Sequence, residues 1–166
     1  MRFRGFVFIL MLGILSSCGF YSFTGADIHP DAKTISVKTF PNYAEVVNPT
    51  LGQALTESLK DYFLAQTPLD LAARDGDLQI EGRIIDYDLQ PINLQSNESA
   101  SQNRLTIAIN VIFTNTLEPE KSYDATFRRF ADFNSSVTFN SIEAELVDQI
   151  NLELIEDIFN KAVVNW

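Results

Sequence analysis

One segment alternates without a break. Between Arg104 and Asn115, Leu105, Ile107, Ile109, Val111 and Phe113 take one parity, and Thr106, Ala108, Asn110, Ile112 and Thr114 take the other. A strand sends successive side chains to opposite faces, so this one has a fully apolar face and a mixed one. The apolar face must be covered by another layer, and the pattern predicts a central strand of an antiparallel sheet.

The cover is written elsewhere in the chain. Leu51, Leu55, Leu59 and Phe63 recur every fourth residue, opposite Gln53, Glu57, Lys60 and Asp61. That spacing gives an amphipathic helix with one apolar stripe. Asn48 is its expected N-cap, Pro49 its first position and Pro68 its end marker. Ile142, Leu146, Ile150, Leu154 and Ile158 repeat the pattern, with Val147, Ile155 and Phe159 beside them. Asn140 and Glu143 read as a capping box for this second helix.

Three further strands are predicted. Lys33–Phe40 alternates around Ile35 and Val37. In Asp77–Leu89, Ile80 and Ile84 share one parity, while Ile85, Tyr87 and Leu89 share the other. A bulge near Gly82 to Ile85 would return them to one inward face; the alternative is burial on both sides. After the polar connection Pro91–Asn103 and the central strand, a turn at Glu118-Pro119-Glu120 leads into Lys121–Phe133. The order is β-α-β-β-β-α. Two one-striped helices need a shared surface, so the expected fold is α+β, a two-layer sandwich. It has two helices on one face of a four-stranded, mostly antiparallel sheet. The other face, with Thr106, Ala108, Asn110, Ile112, Arg128 and Phe130, is left open as a contact surface.

The N-terminus reads as an address. Arg2 and Arg4 precede the apolar run Phe6–Leu15. Ten residues rise about 15 Å as a helix, about half a bilayer core, so the run is a secretory signal rather than a span. Leu15-Ser16-Ser17-Cys18 resembles the bacterial lipobox, and Cys18 is the chain's one cysteine. Residues 1–17 are expected to be a lipoprotein signal peptide, 18–32 a lipidated tether and 33–166 a single domain. Acyl chains on Cys18 would hold the protein to a membrane without a spanning helix. Gly19 follows the cysteine and, by the proteobacterial sorting rule, permits transfer to the outer membrane.

The remaining chemistry is sparse. A net charge of −10 argues against nucleic acid. One cysteine and one histidine, His29, argue against a disulfide, a zinc site or a Ser-His-Asp triad. No metal or cofactor is expected. Asp75-Gly76-Asp77 reads as a turn, and Asp86 and Asp88 as solvated strand residues. Asn97-Glu98-Ser99 matches a glycosylation sequon, which a bacterial lipoprotein would not use. Trp166 ends a helical segment, so it is no barrel-strand signal and reads as a packed terminal aromatic.

Taken with the lipobox, the stretches YSFTGA, DLQIEGRIIDYDLQP, NRLTIAINVIFTN, FRRFADF and EDIFNKAVVNW resemble the LPS-assembly lipoprotein family, LptE, in its Bacteroidetes form. The resemblance implies a non-enzymatic lipoprotein on the periplasmic side of the outer membrane. It would plug and help assemble a large β-barrel partner, LptD, and contact lipopolysaccharide (LPS) on its way out. The resemblance also implies two helices on a four-stranded sheet. Arg83, Arg104 and Arg128, with Phe130, are the candidate contacts for LPS or partner. Arg128 shares the parity of Phe130, so it rather than Arg129 is expected on the open face. The alternatives are a lipid carrier acting without a barrel, which needs an internal apolar cavity, and a periplasmic hydrolase, for which nucleophile and base are lacking.

Overall fold

The computed structural model describes residues 27–46, 48–92 and 101–164. Cys18, the signal residues, the 97–99 sequon and Trp166 lie outside the described residues. Five strands and two long helices follow in the order β1 (Thr34–Val37), α1 (Leu51–Gln66), β2 (Asp70–Leu71), β3 (Leu78–Ile92), β4 (Gln102–Asn115), β5 (Tyr123–Asn134) and α2 (Phe139–Val163). The sheet order is β2-β1-β3-β4-β5. β3, β4 and β5 form an antiparallel meander, while β1 runs parallel to both β2 and β3. The α+β sandwich is as expected, with one strand more than four. β2 is two residues long and docks on β1 through Asp70 N–H to the Lys33 carbonyl and Ala72 N–H to the Ile35 carbonyl.

The alternation in β4 is realised side chain by side chain. Leu105, Ile107, Ile109 and Val111 are fully buried, and Phe113 nearly so. Against them lie Leu55, Leu59 and Phe63 from α1 and Ile150, Leu154 and Ile158 from α2, in one continuous core. Phe159 meets both Tyr62 and Phe63 edge-on at 5.2 and 5.1 Å, closing the helix pair over the sheet. The expected bulge is present, but it does not bury the whole expected set: Ile85 and Leu89 remain exposed. The β3–β4 register slips between Ile84 and Asp86, so Ile84 faces Ile109 and Tyr87 faces Ile107 on the same inward side.

Both expected helix caps are corrected. Thr50 and Thr138 occupy the N-cap positions, and neither caps through its side chain. Asn48 instead accepts from the N–H and hydroxyl of Thr50, forming a turn just ahead of α1. Its own amide reaches Glu143 at 2.9 Å. Glu143 therefore serves tertiary contacts rather than a box with Asn140. Several strand boundaries also move: β3 runs on to Ile92 and β4 starts at Gln102, so Pro91 and Asn103 of the expected connection pair across the sheet. β1 stops at Val37, after which the chain bends and rejoins the sheet as a single bridge from Asn42 to Ile84. The turn at Pro119–Lys121 is one 3₁₀ turn, and β5 begins only at Tyr123.

Candidate functional site

The candidate site is the sheet face turned away from the helices. Register decides what stands on it. Ala108 lies between Asp86 on β3 and Arg128 on β5, and Arg83 lies opposite Asn110. Thr106 pairs with Phe130, and Arg104 with Asp132. All of Arg83, Arg104, Arg128 and Phe130 thus share this face, as parity predicts for Arg128 and Phe130. Arg129 goes to the other side, where it makes two 2.6 Å contacts with Asp157 of α2.

The arginines are not equivalent. Arg104 grips Asp132 through Nε and Nη2 at 2.6 and 2.8 Å, the planar fork that suits a carboxylate. Its guanidinium also sits 3.6 Å from the centre of the Phe130 ring, inside cation–π range. Donating to the Asp132 carboxylate raises the Arg104 pKa further, so this group stays charged and is already satisfied. Arg128 reaches over Ala108 to Asp86 at 2.8 Å. That ion pair roofs Ala108, which is fully buried although it lies on the open side. Arg83 has no carboxylate partner among the described residues.

Arg83 stands in a shallow hollow of about 190 Å³ lined by Pro41, Tyr43, Glu81, Gly82, Asn110 and Ile112. Tyr43 is 70% exposed and Ile112 40% exposed. Tyr43 is placed by the bridging segment, because its N–H donates to the Ile84 carbonyl while Ile84 N–H donates to Pro41. Glu81 in the same hollow is held by the Lys38 ammonium. Sequence reasoning missed Tyr43; its exposure follows from the irregular return of the chain after β1, which has no periodic signal. Asp86, read from sequence as a solvated strand residue, is the ion-pair partner of Arg128.

Two other features bear on function. Among the described residues no group of His, Cys, Asp and Glu could hold a metal ion. Nor, among them, is any helix long and apolar enough to cross a membrane.

A minor lipoprotein from Acinetobacter baumannii is similar at 16% identity and a TM-score of 0.49, over 80% of this chain and 96% of that one. A hypothetical protein from Chlamydia trachomatis is similar at 7% identity and a TM-score of 0.53, over 81% of this chain and 99% of that one. Only the second likeness supports the architecture, and it bears on the fold alone. No curated protein sequence matches the chain. A family model described as LptE, lipopolysaccharide-assembly, matches residues 32–162. That match spans the whole body from the start of β1 to the last turn of α2, and the chain therefore belongs to the LptE lipopolysaccharide-assembly family.

Proposed function

We propose that this protein is a lipid-anchored component of the outer membrane, on its periplasmic side, that plugs and helps assemble the β-barrel delivering LPS to the cell surface. The family match over residues 32–162 is the observation that carries the reading. The geometry supports it in one respect. A body built to sit inside a partner needs a surface that its own core does not use, and here one whole sheet face is left outside the helix layer. Arg83, Arg104, Arg128 and Phe130 lie on that face, which is the contact surface in this reading. Acyl chains on Cys18 supply the anchor, and the role has no chemical step.

A carrier acting without a barrel would need an apolar cavity. The space between sheet and helices is filled by fully buried side chains such as Leu55, Phe63, Ile107 and Leu154, so nothing in the packing favours that alternative. The test is extraction of native membranes in mild detergent followed by affinity capture of the lipoprotein. Recovery of one large β-barrel protein in near-equal amount supports the reading. Recovery of the lipoprotein alone overturns it. Depletion of the protein should lower both surface LPS and the amount of assembled barrel.

A further inference from the structure

We infer that the hollow around Arg83 is the anchoring seat for an acidic side chain of the barrel partner. This rests on the proposed function and names where the contact is made. Of the three arginines on the open face, Arg104 is held by Asp132 and Arg128 by Asp86. A new carboxylate at either would have to displace an existing one. Arg83 offers its guanidinium without that cost. The anion nearest in sequence, Glu81, is already engaged by Lys38, so among the described residues the hollow presents Arg83 as its uncompensated charge. Asn110, on the opposite wall, is turned to Asp124 at 2.6 Å.

Size and composition select the occupant. The hollow of about 190 Å³ falls short of the roughly 300–1,000 Å³ that encloses a small ligand. It has room for an inserted side chain rather than a lipid headgroup with its sugars. Its rim carries Tyr43, Ile112 and Pro41 around a free arginine. Protein interfaces concentrate their energy in such a mixture: Tyr and Arg anchors ringed by apolar atoms that exclude water. A carboxylate seated there would be met bidentately by Arg83 while the rim shields the pair from solvent.

The experiment uses the full-length lipoprotein captured from native membranes, with the barrel identified by mass spectrometry. R83E is compared with wild type and with R74E, an exposed arginine in the β2–β3 connection. Barrel recovery with R83E should fall about ten-fold, the loss of one interface anchor, and should be unchanged with R74E. A photo-crosslinking residue replacing Tyr43 should join the lipoprotein to the barrel. Equal barrel recovery by wild type and R83E overturns the seat and leaves the proposed function standing. A crosslink from position 43 to LPS instead of the barrel also overturns it. Failure of the wild-type chain to recover any barrel removes both.

Discussion

Tyr87 of β3 donates its hydroxyl to Glu143 of α2 across 2.6 Å, and Asn48 donates to the same carboxylate oxygen at 2.9 Å. One acid therefore joins the sheet, the second helix and the turn that starts the first. Burial, then the hydrogen bond and charge of Glu143, push the Tyr87 pKa well above that of a free tyrosine. Tyr87→Phe keeps the packing and removes the donor. A hydrogen bond to a charged group is worth about 1.5–3 kcal/mol, and chemical denaturation at neutral pH should show a loss of that order.

The same tyrosine contributes to the alkaline limit, together with Tyr123 and Tyr62, whose pKa values burial also raises. A group whose folded pKa is raised binds more protons when folded. Its stabilisation is complete below the unfolded value of about 10 and is lost as pH climbs above it. Melting temperature should fall steeply above about pH 10. The fall should be shallower in Tyr87→Phe, as a series of thermal scans would record.

Asp77 governs the acid side. Its carboxylate accepts from the N–H groups of Lys33 and Thr34 and from the Thr34 hydroxyl. The backbone N–H of Lys33, then the bonds from Thr34, hold its pKa below the ordinary aspartate value. A depressed pKa gives stability that is present above about pH 4 and disappears as pH falls through the folded value. Asp77→Asn should therefore lower stability at neutral pH and flatten its decline on acidification. Melting temperatures between neutral pH and about pH 3 would expose both effects.

Gly52 separates two competing rules. Alanine is the better helix former by about 1 kcal/mol, so propensity predicts that Gly52→Ala stabilises α1. A Cβ there would lie 2.2 Å from the Phe40 carbonyl oxygen, a backbone atom that cannot rotate away. Overpacking of this kind costs about 1–3 kcal/mol or more. We expect net destabilisation in equilibrium unfolding.

Cys18→Ser tests the anchor. Without a thiol there is no acylation, and the protein should move from the membrane pellet to the soluble periplasmic fraction. Immunoblots of fractionated cells read the result, and continued membrane attachment of the variant would count against a lipid at this position.

How much of this could be read from the chain depends on where the information lies. β4 was legible because five successive inward residues, Leu105 to Phe113, are all apolar, and a one-residue slip would have exposed every one of them. The Ile85 bulge was legible for the same reason: two parities in one strand need a slip to share a core. The placement of Arg128 outward and Arg129 inward followed from parity alone. β2 was not legible, because two residues carry no period and Asp70 and Leu71 are both exposed. The caps failed because tertiary contacts outbid local ones. Glu143 is claimed by partners 56 and 95 residues away. The candidate face was half legible. Its members could be named, but the pairing of Arg104 with Asp132 and Arg128 with Asp86 depends on cross-strand register. Only with that register in hand does Arg83 stand apart.

The sheet's two borders differ in length but share an outcome. At one end β2 supplies only two residues, too short a ribbon to template another molecule. At the other, β5 presents Asp124, Arg128, Arg129 and Asp132 along its length, and charge on a rim discourages edge-to-edge stacking. A bare, partly apolar surface invites self-association, yet the routes by which sheets polymerise are blunted at both ends. Such a body can leave one sheet face uncovered and still not pair edge to edge with its own copies.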